Sequence, residues 1–196
     1  MTIFLILAPF GSFALLMLVT PAEIALFASA AICLAVVGID VARGRSVKIL
    51  GAGSVVIFSG IGAYVALVDP NLGQSAVKLA VDVGVLAISL GSLMIRKPFV
   101  LQYALEEVDP ETAKLPDFLK ATTIITWAWV GACVLMIIGN VLTIYVPGLP
   151  LWSGLVIAFA ARNSAAYFTT WYPQYRKAKY STKYGAPPAN ALPGTN

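Results

Sequence analysis

Five carboxylates, Glu106, Glu107, Asp109, Glu111 and Asp117, stand within twelve residues of a chain otherwise written largely in Leu, Ala, Val, Ile and Gly. Such a cluster could hold a divalent cation or supply an acid–base pair. No nucleophile and no Gly-centred calcium loop accompanies it, and each acid has a structural reading. Asp109-Pro110-Glu111 reads as a helix cap, a first-turn Pro and an acid near the positive helix end, and Pro116-Asp117 repeats the device. Glu106 and Glu107 are expected to face water. The chain has no His, which removes Ser-His-Asp and Cys-His pairs, the usual axial ligands of a membrane b-type haem, and the imidazole ligands of most copper, iron and zinc sites. Cys33 and Cys133 lie in apolar runs at no metal or redox spacing and read as packing residues. Gly51-Ala52-Gly53-Ser54 is no phosphate loop, because no Lys-Ser/Thr follows at the required offset. No catalytic residue, cofactor or metal is expected.

Ionisable groups inside apolar runs carry more information, since each is costly in hydrocarbon unless paired or hydrated. Asp40 stands three residues before Arg43 and is expected to pair locally or meet headgroups. Lys78 and Asp82 are four apart, on one helix face. Arg162, twelve residues past Pro150, falls near the middle of its run with Asn163 beside it. The sequence therefore suggests an intramembrane cluster of Lys78, Asp82 and Arg162, with Asn140 or Asn163 as hydrogen-bonding neighbours. Three readings of it stay open: a structural ion pair, a polar cavity or ion pathway, and a surface facing a partner subunit or lipid headgroup.

The elements that must position these groups follow from composition. Of 196 residues, 59% are hydrophobic and 11% charged, against about 25% charged in soluble domains. The fold class is an all-α polytopic membrane protein. Six apolar runs are long enough to cross about 30 Å of hydrocarbon, at 3–19, 21–42, 47–68, 75–95, 121–146 and 150–172. Thr20-Pro21-Ala22-Glu23 reads as a capped start to the second, and Asp69-Pro70, Val146-Pro147 and Leu149-Pro150 as turns. Pro9 and Gly11 should loosen the first. The first 22 residues have no basic stretch ahead of their apolar run, so they read as a span and not a secretory signal. Lys and Arg follow spans 2, 4 and 6, while the other connections carry only Lys78. The positive-inside rule then gives both termini in the cytoplasm.

Residues 97–120 read as a cytoplasmic interfacial segment, with Gln102 and Glu106 on a narrow polar face. Residues 173–196 form a basic, Pro/Ala-rich tail whose Arg176, Lys177, Lys179 and Lys183 suit anionic lipid headgroups. The basic stretch is too short and too close to the bilayer to favour nucleic acid. Small residues at four-residue spacing, Ser59 to Ala63, Ala80 to Gly84 and Ala87 to Gly91, suit close helix packing in lipid.

The order of features resembles the intracellular septation protein A (YciB-like) family of bacterial inner-membrane proteins, or a sister group similar to it. The resemblance covers about residues 1–150 and rests on LAPF early in the first span, ARGRSVK after the second, AVKLAVDVGVLAISLGSLMIRKPF through the fourth, and FLKATTIITWAW and GNVLTIY in the fifth. The chain departs from the family pattern at Thr122 and Thr123, in its longer connection 99–120, and in its tail. The resemblance implies a non-enzymatic protein of the cell inner membrane, linked to envelope synthesis and cell division, that acts through other membrane proteins. Two alternatives stand beside it: an accessory structural subunit of a respiratory or photosynthetic membrane complex, and a small-solute or ion transporter using Asp82 and Arg162. The expected partners are the lipid bilayer and membrane proteins, as an oligomer or hetero-complex.

Overall fold

The computed structural model describes the backbone of residues 2–146 and 148–184, and the side-chain surroundings of residues 9–146, 148–150 and 152–176. The described residues form eight helices and no strand: α1 Thr2–Leu16, α2 Ala22–Ala42, α3 Ile49–Leu67, α4 Gln74–Met94, α5 Phe99–Ala104, α6 Pro110–Ala113, α7 Pro116–Tyr145 and α8 Leu151–Tyr184. Four of them, α2, α3, α4 and α7, are long and apolar enough to cross a membrane. The chain is therefore an all-helical membrane protein.

Differences from the sequence expectation lie at both ends of the chain. Helix α1 has 15 residues, about 22 Å on a 1.5 Å rise and short of the hydrocarbon thickness. Beyond Leu16 the chain tightens, the Leu18 and Val19 N–H groups reaching Leu15 O at 3.1 Å and Leu16 O at 3.0 Å, and the Thr20 hydroxyl donates back to Leu16 O at 2.8 Å. Pro21, and not Thr20, is consequently the cap position of α2, with no side-chain cap. Helix α8 has the length to span but is less apolar than the four, with Arg162 and Asn163 in its course. It does not stop at residue 172; it continues through Pro173 to Tyr184, so the expected boundary between bundle and tail falls inside a helix. The rest of the tail, 185–196, lies outside the described residues. Helix α7 starts at Pro116, five residues before the expected span.

Each long helix packs on its neighbour in sequence, except that α4 passes over α5 and α6 to pack on α7. The first core, from α1 to α4, includes Phe13, Met17, Leu26, Phe58, Val77 and Val81. The second joins α7 and α8 through Cys133, Met136, Ala161 and Ala165. Glycine sets the closest approaches. A Cβ at Gly84 would lie 2.7–3.0 Å from three Ile57 atoms, and one at Gly53 would lie 2.5 Å from Ile88 Cδ1, so α3 and α4 each place an Ile over the other's Gly. Large apolar side chains such as Leu34, Val56 and Phe159 are exposed on the outside, as suits a surface solvated by lipid.

Within the segment expected to be interfacial, α5 packs on α7 and α4. Phe99 and Val100 of α5 are buried with Leu50 and Ile125. The turn before it is tight: Arg96 has φ 55°, the Lys97 N–H reaches Ser92 O at 2.9 Å, and the Phe99 N–H reaches Ser92 Oγ at 3.1 Å. This is a left-handed C-terminal cap of the kind glycine usually fills. Asp109 caps α6, accepting from Thr112 N at 3.2 Å and from Thr112 Oγ1 at 3.0 Å.

Candidate functional site

Two groups of charged residues lie inside the bundle. The first is at the level of the helix middles. Asp82 is buried, and its Oδ2 accepts from Asn140 Nδ2 at 2.7 Å. The positive charges that act on it are Arg162 and, more weakly, Lys78. Neither comes within ion-pair distance among the described residues; Arg162 Nη2 lies 3.9 Å from Met136 Sδ. Asp82 and Arg162 instead line one cavity of about 40 Å³, with Ser89, Trp129, Cys133 and Met136 among its other walls. That is room for a water or two, since one needs about 10–15 Å³. The Ser89 hydroxyl is engaged, donating to Val85 O at 2.8 Å.

The sequence-derived cluster is thus divided. Asp82, Asn140 and Arg162 come together, with Lys78 a turn away on α4. Asn163 does not belong to the group: it is exposed on α8, turned away from α7, and its Nδ2 donates to Phe159 O at 2.7 Å. The reason is angular, since neighbours in a helix are about 100° apart and Arg162 already faces α7.

The second group sits at the end of the bundle where the basic residues gather, and its centre escaped the sequence reading. Lys48, only 4% exposed, reaches Asp40 Oδ2 at 2.7 Å and Glu106 Oε1 at 3.0 Å. Arg45 Nη1 flanks the same two carboxylates at 3.5 and 3.8 Å. The Tyr103 ring lies under the ammonium, 5.2 Å from centroid to Nζ, and burial, then the nearby Asp40 carboxylate, push its hydroxyl well above the usual phenol range. Gln102 Oε1 accepts the Ile49 N–H at 2.7 Å, satisfying one of the orphan donors of the first turn of α3.

Asp40 pairs locally, with Arg45 and Lys48, where Gly44 at φ 70° turns the chain back over the end of α2. Glu106, exposed as a residue, turns its carboxylate to Lys48. The missed signal was Lys48 itself, a lysine at the mouth of an apolar run, which the sequence map counted only among the basic residues that follow span 2.

Of the proposed headgroup contacts, Arg176 pairs with Asp117 at 3.2 Å. The side chains of Lys177, Lys179 and Lys183 lie outside the described residues. Among the described residues no group of three or more His, Cys, Asp or Glu side chains is placed to hold a metal ion. Comparison with protein-family models, with curated proteins and with solved structures finds no match.

Proposed function

We propose that the chain is an integral membrane protein that carries out no reaction of its own and acts by contact with other membrane proteins. The observation that supports this reading is the outer face of α8. This helix packs at the edge of the bundle on α7 and turns Asn163 and Ser164 outward, between the exposed rings of Phe159 and Tyr167. Polar groups at that depth are unfavourable in hydrocarbon and are met by protein.

In this reading α1 with the turn that follows it, α2, α3, α4, α7 and α8 are six spans of a bacterial inner membrane. The basic end and both termini face the cytoplasm. The resemblance to the septation protein A family gives the contacts their setting, in envelope synthesis or septation. A role as accessory subunit of a respiratory or photosynthetic complex would use the same face. The partners separate the two: extraction in mild detergent through a C-terminal tag should recover division or cell-wall proteins in stoichiometric amount for the first, and redox or light-harvesting subunits for the second. Recovery of this chain with no other protein counts against both.

A transport reading draws on one separate observation, the cavity that Asp82 and Arg162 share. It requires that purified protein in vesicles move a solute or ion, and that Asp82→Asn abolish the flux. Vesicles that remain impermeable over a panel of ions and small solutes would remove it.

A further inference from the structure

We infer that the outer face of α8 binds a second copy of this chain, the two helices being related by a two-fold axis along the membrane normal and joined by reciprocal hydrogen bonds between their Asn163 amides. The inference rests on one part of the reading above, that protein meets the outer face of α8, and names that protein as a second copy in place of a different one.

Asn163 provides the argument. One of its amide hydrogens is satisfied within the helix by Phe159 O at 2.7 Å, and the exposed residue is left with a second N–H and the acceptor Oδ1. Its depth follows from the pairing of α8 with α7, an apolar helix long enough to span. Ile157 lies against Gly139, Ala161 and Ala165 pack with Cys133 and Met136, and Thr169 accepts from Trp129 Nε1 at 3.0 Å. Asn163 is therefore level with residues near 133, in the middle of α7. Neither water nor a lipid headgroup reaches that level readily, and acyl chains offer no donor or acceptor.

A second copy meets the need without any further group. Copies of one chain insert in one orientation, so a two-fold axis along the normal places the two Asn163 side chains at equal depth. Each free N–H then faces the other's Oδ1, making two bonds at once. Arg162 points away toward α7, so the pairing brings no like charges together. The exposed residues Ala160 and Ser164, one turn apart beside Asn163, are small enough for the helices to approach within reach of a short amide.

The test uses the full-length chain in its native membrane. Two differently tagged copies are co-expressed, one carrying p-benzoylphenylalanine in place of Phe159 or, in a second experiment, of Tyr167, and the membranes are irradiated. The expected result is a covalent adduct bearing both tags, its yield falling about tenfold with Asn163→Leu in both copies and partly recovering with Asn163→Gln. A mixed-tag adduct undiminished by Asn163→Leu overturns the amide pairing. Adducts to a different protein, with no mixed-tag product, overturn the second-copy inference and leave the contact reading standing. Adducts to no protein from either position overturn both.

Discussion

At the scale of single residues, the buried ammonium of Lys48 makes the strongest demand on its surroundings. It answers two carboxylates at once, Asp40 and Glu106, whose side chains are only 16% and 20% exposed. Lys48→Ala leaves both acids with only the longer contacts to Arg45. Removing one partner of a buried ion pair costs about 3–5 kcal/mol, and the partial exposure of the acids puts this case near the lower limit. Thermal unfolding in detergent should show Lys48→Ala far less stable than Lys97→Ala, at an exposed position; equal midpoints would mean that the ion pairs are not formed.

Asp109 makes a smaller, pH-dependent contribution. The Thr112 hydroxyl and then the Thr112 N–H hold its carboxyl below the usual range. A lowered folded-state value means that the cap's contribution is complete above the ordinary carboxylate pKa and is lost as pH falls through the lowered one. Protection of the Thr112 amide from hydrogen exchange, corrected for the intrinsic rate, should decline over that acid window. It should not decline there in Asp109→Asn, which keeps an acceptor but does not titrate. The sequence revealed this cap, because its donor is three residues away. It concealed the Lys48 site, because a left-handed Gly44 turns Lys48 back to Asp40 and a long connection brings Glu106 to it, and neither can be read from local spacing.

Among the elements, α4 shows what small-residue spacing does and does not say. Gly84 and Gly91 both end small-xxx-small pairs and look alike in sequence. Gly84 faces Ile57, with a Cβ meeting its Cδ1, Cγ1 and Cγ2 within 3.0 Å, whereas nothing lies within 4 Å of a Cβ at Gly91. Because the Ile57 branch carries two of those atoms, no single rotamer change clears all of them. Gly84→Ala should cost about 1–3 kcal/mol, partly recovered by Ile57→Val. Gly91→Ala should be neutral or stabilising, by up to about 1 kcal/mol of helix propensity. Unfolding midpoints of the four proteins in one detergent would decide the matter, and equal effects at the two glycines would refute the packing. The boundaries of α2, α3 and α4 were legible to within two residues because length, apolar content and turn signals agree there. The end of α8 was not: Pro173 and a run of lysines normally announce a stop, and here the helix continues through them.

For the molecule as a whole, a serial bundle with its basic residues at one end makes sidedness the property to measure first. Asn71 is exposed between α3 and α4, and Glu107 is exposed in the connection at the basic end. In intact cells, a membrane-impermeant maleimide should label Asn71→Cys directly and Glu107→Cys only after permeabilisation. Cys33 and Cys133 are both buried and should remain unlabelled. The reverse pattern would invert the proposed topology, and labelling of both sites from outside would refute an odd number of crossings between them. That the chain belongs in a membrane was plain from composition alone. Which helices complete the crossing was not, since α1 is short and α8 carries charge, and for both the outcome depends on neighbours that hydropathy does not see.

The buried charges also impose an order in time. Lys48 emerges after Asp40 but waits for its second carboxylate, Glu106, and Asp82 waits for Asn140, each lying 58 residues further along. At a synthesis rate of about 5–20 residues per second, each of those two groups follows by some 3–12 s. During that interval Asp82 and the open side of Lys48 need water, headgroups or the insertion machinery, so neither charge is fully satisfied as its hairpin emerges. The two latches close only when the connection and α7 arrive.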